Sequence, residues 1–282
     1  MIKATCVLGL LCCVLSAAEE QWAVALHGRD VPIRMWRADG AKAGVLVLVP
    51  GYNGDGAGML DARWKEFAEK NGLVLLAPTF HAEANENNQG KGYYYPEQGS
   101  GEAMENALRE VARRTGVTTD KVLMFGFSAG AHFAHRFALW HPRRVEAFVA
   151  YSAGWWSEPT ARLKSVPALI MCGEADERYA ATFAFFKQGQ KLGCPWVWRS
   201  YDHTGHALTP AVRAMAEVFL ANYAAKPAQR PAAPPATPGE VRYGDIQTFK
   251  DVGRADKETI PEELRIELPS PAVAEVWRKE GE

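Results

Sequence analysis

The sequence predicts an α/β fold, a mostly parallel sheet with helices on both faces, and three observations carry that expectation. Six short and almost wholly apolar runs recur, at residues 44–49, 73–77, 122–125, 145–151, 168–172 and 196–201. A strand is apolar all round only where both faces of its sheet are covered, which is the condition of a parallel sheet wrapped by helices. Between the runs lie helical patterns near residues 60–70, 101–114, 129–140, 179–191 and 210–223. Short strands alternating with helices of that length indicate crossover units. Apolar residues make up 48% of the 282-residue chain, ample for one large core.

The remaining segments fall into place around this body. Residues 22–27 and 31–37 alternate as an antiparallel hairpin at a sheet edge. Residues 1–18 read as a signal peptide: Lys3 supplies a positive start, residues 7–15 an apolar stretch, and Ser16-Ala17-Ala18 a small-residue cleavage site before Glu19. The expected location is therefore secreted or periplasmic. The apolar stretch is too short for stable membrane insertion, and Cys12 and Cys13 do not follow the small residues of a lipoprotein signal. Residues 19–225 form the expected catalytic domain and residues 226–239 a Pro/Ala linker. Residues 240–282 carry Ile246, Phe249, Leu268 and Trp277; this C-terminal extension is too short for an independent domain and is expected to dock on the body. Cys172 and Cys194 remain after cleavage. They lie at opposite ends of neighbouring strands, roughly 16 Å apart, so they are expected to be free thiols.

Charge excludes one class of partner. The formal net charge is −1 and no basic run is interleaved with aromatics, so nucleic acid is not expected. The glycine-rich segment 49–56 lacks the lysine and hydroxyl pattern of a phosphate loop. The chemistry below calls for no cofactor and no metal.

That chemistry centres on Gly126-Phe127-Ser128-Ala129-Gly130. The five-residue pattern is weak alone, but an apolar strand runs straight into it and a helix follows at once. A nucleophile elbow needs that setting, because the serine occupies a strained turn and the flanking glycines relieve crowding. Of seven histidines, His203 and His206 follow the last strand, where a general base belongs in the order serine, acid, histidine. The Gly205-His206 step favours His206, with His203 as the alternative. The acid is sought after the penultimate strand, in Gly173-Glu174-Ala175-Asp176-Glu177-Arg178. Asp176 is preferred for its place at the turn before the next helix; Glu174, Glu177 and the more distant Glu158 are its rivals. Its task is to hold the histidine tautomer and stabilise the imidazolium. An oxyanion hole needs two amides. Ala129 supplies one, and the loop Pro50-Gly51-Tyr52-Asn53-Gly54 offers that of Tyr52.

With these motifs in order, residues 22–223 resemble an α/β-hydrolase, carrying GFSAG, GEAD and GHAL. PGYNG, YYYPEQGSG and a helix ending in HPRR are similar to dienelactone-hydrolase-like and polyhydroxybutyrate-depolymerase-like serine esterases. Ser128 stands where dienelactone hydrolases proper use cysteine. The Pro-Gly-Tyr step also resembles the oxyanion loop of secreted polyester hydrolases, which implies that Tyr52 packs on substrate as well as donating its amide. The implied activity is hydrolysis of small, aryl, carbohydrate-linked or polyester-type esters through a Ser128–His206–Asp176 acyl-enzyme mechanism. The connection 153–166 leaves no room for a large lid. Trp155 and Trp156 lie at a strand's carboxyl end where ligands bind in such sheets; one of them is expected to wall the cleft, the alternative being that both cover core or anchor the C-terminal segment. Segment 78–96, with Tyr93-Tyr94-Tyr95, is its expected rim. A peptidase of the prolyl-oligopeptidase kind and a non-catalytic binding protein on the same fold are the alternatives.

Overall fold

The computed structural model describes residues 18–82, 85–86, 88–224 and 241–278. Residues 1–17 of the expected signal peptide and the whole of the 226–239 linker lie outside the described residues.

All six apolar runs are strands, and all six are parallel: β3 (Gly44–Val49), β4 (Leu73–Pro78), β5 (Val122–Phe127), β6 (Val145–Tyr151), β7 (Ala168–Gly173) and β8 (Trp196–Tyr201). The hairpin β1 (Ala18–Leu26) and β2 (Arg29–Arg37) adds two antiparallel strands at one edge, giving the order β1-β2-β4-β3-β5-β6-β7-β8. β1 alternates intermediate and exposed residues because it is the edge, whereas every residue of β3, β4, β7 and β8 is buried.

Strand order reverses direction at β3, which lies between β4 and β5. Right-handed crossovers then place the helices on opposite faces. On one face, α1 (Ala62–Asn71) and α5 (Pro210–Ala224) lie together, with Arg213 of α5 binding Asp61, the cap of α1. Asp61 also accepts from the Trp64 amide at 2.9 Å, and Gly72 ends α1 at φ 63°. On the other face lie α2 (Ser100–Thr115), α3 (Ala129–Trp140) and α4 (Tyr179–Lys191). The loops after β3 and β5 leave neighbouring strands at the reversal, where open α/β sheets form their crevice.

The C-terminal extension folds into a small antiparallel sheet, β9 (Arg242–Asp245), β10 (Asp251–Gly253) and β11 (Arg265–Leu268), followed by α6 (Pro271–Arg278). β11 lies against β8 and α6 against α5. Trp277 is fully buried and its indole N–H donates to the Trp198 carbonyl at 2.7 Å. Gly244 has to be glycine, since a Cβ there would stand 2.6 Å from the Trp277 ring. The Arg199 guanidinium lies over the rings of Tyr201 and Phe249. The extension thus covers β8, an edge strand that would otherwise invite pairing with another chain. Cys172 and Cys194 are buried free thiols. Among the described residues no helix is long and apolar enough to cross a membrane.

Candidate active site

Ser128 sits between β5 and α3 at φ 55° and ψ −114°, a strained conformation for a residue with a side chain. Its amide donates to the Tyr151 carbonyl at 2.8 Å, which ties the turn to β6. The flanking glycines have a steric cause. A Cβ on Gly126 would run into the Gly130 carbonyl, and one on Gly130 into the Val49 carbonyl. The five-residue pattern is therefore the condition for α3 to start this close to β3 and β5.

Two loops meet this turn. In the loop after β8, His206 faces Ser128, whose hydroxyl lies 2.9 Å from Nε2. Its Nδ1 lies 2.7 Å from Asp176 Oδ2, in the loop after β7. The imidazole stacks on Phe127 at 4.8 Å. The two loops are bonded to each other, the Ala175 amide donating to the Thr204 carbonyl at 3.0 Å, and a Cβ on Gly173 would collide with that carbonyl. Gly205, by contrast, has open space around its Cα and no positive φ. The glycine before His206 is not what aims the imidazole; the contact between the two loops is.

The Asp176 carboxylate is buried. Burial pushes its pKa up, but the hydrogen bonds from His206, the Arg178 amide at 3.1 Å and the Arg178 guanidinium at 3.0 Å outweigh it and hold the group below its ordinary range. The rivals lie elsewhere. Glu174 accepts from the Ser200 hydroxyl at 2.7 Å, Glu177 points to solvent and pairs with Arg178, and Glu158 is exposed. His203 is 94% exposed and faces Asp202, with no contact to Ser128.

Gly51 follows β3 and passes beside Ser128; a Cβ there would meet the Ser128 Cβ at 3.8 Å. The turn is closed by the Gly54 amide on the Gly51 carbonyl at 2.9 Å, and it is pinned where the Gly56 amide meets Thr79 Oγ1 at 2.9 Å. Tyr52 follows Gly51, and Ala129 opens α3. Among the described residues no backbone acceptor engages either amide. The helix start adds its partial positive charge at Ala129.

Trp155 and Trp156 part ways. Trp155 is 53% exposed on the loop after β6. Trp156 turns inward, stacked on Phe185 at 4.2 Å and against His135 at 4.7 Å. Of the pair, Trp155 alone is left open at the loop surface: in a loop with no strand alternation, adjacent side chains took opposite directions.

The sequence reading passed over a buried polar group on α3. His132 accepts the Gly154 N–H at Nε2 (3.1 Å), and His135 accepts the Ser157 N–H at Nε2 (3.1 Å). Arg136 donates to the Ser157 hydroxyl at 2.8 Å and lies over the Tyr95 ring. Burial, helped by the charge of Arg136, pushes His132 down to about 3 and His135 well below its ordinary value, so both stay neutral. Three polar side chains on one helix of Ala, Phe and Leu were the available signal.

By sequence, the chain matches no protein-family model and no curated protein. By structure it is similar to an S-formylglutathione hydrolase from Agrobacterium tumefaciens (16% identity, TM-score 0.59), over 74% of this chain and 95% of that one. A poly(3-hydroxybutyrate) depolymerase from Bordetella parapertussis superposes over 72% of this chain and 88% of its own (20% identity, TM-score 0.55). The fold is that of the α/β-hydrolases. A fungal esterase from Rhizomucor miehei shares it as well, over 73% of this chain and 83% of that one (14% identity, TM-score 0.58). On this α/β-hydrolase frame, the chain Ser128–His206–Asp176 can pass a proton from the hydroxyl to the imidazole while the buried carboxylate stabilises the charge that forms. Ala129 follows Ser128 directly and Tyr52 follows Gly51, and no backbone acceptor engages either amide among the described residues.

Proposed function

We propose that this protein is a serine carboxylic-ester hydrolase working through an acyl-enzyme. The observation that carries the reading is the continuous hydrogen-bonded chain from Ser128 Oγ through His206 to a buried, ionised Asp176. His206 takes the Ser128 proton as Oγ attacks the ester carbonyl, and the Ala129 and Tyr52 amides hold the oxyanion. The tetrahedral intermediate collapses, the bond to the alcohol breaks, and His206 returns the proton to the departing oxygen. Water, deprotonated by His206, then attacks the acyl-serine, and the carboxylic acid leaves with Ser128 restored. Small, aryl, carbohydrate-linked and polyester-type esters are the substrate range, consistent with a cleft that carries no long insertion between β6 and β7. The export pattern at the N-terminus supports action outside the cytoplasm, as a secreted or periplasmic enzyme.

A fluorophosphonate probe on the intact chain is expected to label Ser128 and to abolish hydrolysis of p-nitrophenyl acetate. Ser128→Ala is expected to lose both label and turnover while keeping the circular dichroism of the folded protein. Turnover retained by that folded variant overturns the reading.

A further inference from the structure

Among the described residues two large hydrophobic side chains are exposed, Tyr52 at 57% and Trp155 at 53%. Both lie on loops that leave the sheet next to Ser128: Tyr52 follows Gly51, where a Cβ would stand 3.8 Å from the Ser128 Cβ, and Trp155 lies in the loop after β6, whose last carbonyl receives the Ser128 amide. Tyr94 joins them. Its ring lies 6.3 Å from that of Trp155, and it lies close enough to Tyr52 for that phenol to add to burial in pushing the Tyr94 hydroxyl up to about 12. Two exposed aromatic rings on loops next to a candidate nucleophile mark a binding site.

We propose that Tyr52 and Trp155, with the buried Tyr94 ring behind Trp155, form the seat of a pyranose ring, so that the preferred substrates are acyl esters of carbohydrates. The proposal rests on the serine-esterase reading and names its alcohol side. An alkyl or aryl alcohol gains most by leaving water altogether, which asks for an enclosed pocket. Rings that remain half exposed suit a ligand with C–H groups on one face and hydroxyls around its edge, stacking on one side and staying hydrated on the other. Arg178 supplies a polar arm. Its Nη1 is held by Asp176 and Glu177, and its Nε lies 3.7 Å from the position a Cβ on Gly154 would take, next to Trp155. A guanidinium with further N–H groups at the rim is a donor for sugar hydroxyls.

The seat is built to be rigid. Tyr94 lies flat on His132, 4.4 Å away with 3° between the planes, and Trp155 lies 5.3 Å from the same imidazole. His132 in turn holds the Gly154 amide, and Arg136 donates to the Trp155 carbonyl at 3.4 Å. The buried group on α3 therefore holds the Trp155 wall of the seat from beneath, directly and through Tyr94, starting from the helix that carries Ser128 at its head. A preorganised wall spends little of its binding energy on ordering side chains.

The test compares acetylated xylotriose and penta-O-acetylglucose with ethyl acetate and p-nitrophenyl acetate on the intact chain. The wild type is expected to prefer the sugar acetates to ethyl acetate by tenfold or more in kcat/KM, with unacetylated xylotriose as a competitive inhibitor of p-nitrophenyl acetate hydrolysis. Trp155→Ala is expected to lower kcat/KM for the sugar acetates, relative to p-nitrophenyl acetate, about tenfold, mainly through KM. It should also weaken inhibition by xylotriose, and Trp155→Phe should restore much of both. Equal treatment of sugar and ethyl acetates, or a ratio unmoved by Trp155→Ala, overturns the pyranose seat and leaves the esterase standing. No turnover of any ester, with no fluorophosphonate label, overturns both together.

Discussion

The His206 loop and helix α3 both bring imidazoles close to Ser128, and they use them in opposite ways. His206 is 78 residues from Ser128 in the chain, yet one ring nitrogen meets its hydroxyl and the other a carboxylate, with the ring partly open to water. His132 and His135 follow Ser128 by one and two turns of helix. Each of them accepts a backbone amide at Nε2, with no carboxylate partner among the described residues and with water excluded. Burial then removes their capacity to charge, pushing His132 down to about 3. Partners and water access, rather than proximity in sequence, decide which histidine can work as a base.

The strongest way to break that comparison is to delete the reacting pair. Ser128→Ala and His206→Ala are each expected to lower kcat for p-nitrophenyl acetate by about 10⁶-fold. His203→Ala is expected to stay within about twofold of wild type, since its ring points to solvent beside Asp202. A large loss in His203→Ala, with His206→Ala active, would reverse the assignment within the loop. Next in size is Asp176→Asn, with an expected loss of about 10⁴-fold in kcat. The amide leaves the geometry in place but no longer secures the tautomer that presents a bare Nε2 to Ser128. It also leaves the Arg178 guanidinium with Glu177 alone as carboxylate partner. An Asp176→Asn variant of near wild-type rate would show that the hydrogen bond to Nδ1 does no catalytic service.

Much of this was legible in the chain, for identifiable physical reasons. The six parallel strands announced themselves because burial on both faces demands unbroken apolar runs. The elbow was legible because backbone crowding forbids any side chain at Gly126 and Gly130, so the motif records a steric fact. Asp176 was legible through its turn, although the reason for Gly173 lies in a carbonyl of another loop. The C-terminal sheet was not legible, because strands of three or four residues such as β10 and β9 show no periodicity. The opposite facing of Trp155 and Trp156 was hidden for a similar reason, a loop having no alternation to read. His132 and His135 escaped because their partners are backbone amides of Gly154 and Ser157, and a backbone amide leaves no mark in a sequence.

The smallest effect tests the α3 half of the comparison, and its sign follows from linkage. The unfolded chain binds a proton at His132 near the ordinary value of 6.5, while the folded chain holds that group down to about 3. Between those values the unfolded state carries more protons, so the stabilising effect of a neutral His132 is fully present above 6.5 and is lost as the pH falls toward 3. From pH 6 to 4.5 that loss is about 2 kcal/mol for this residue, with a loss in the same direction from His135, whose pKa is also depressed. Asp176 adds nothing in this window, because its own loss sets in below the ordinary carboxylate value of 3.8. His132→Gln keeps an acceptor within reach of the Gly154 amide and removes the titration. Urea unfolding of that variant at pH 6 and 4.5 is expected to show a pH dependence flatter than wild type by about 2 kcal/mol, with ester hydrolysis reduced far less than in His206→Ala. An unchanged slope would mean that His132 charges in the folded state, and the separation between the two sets of histidines would fail at its weaker end.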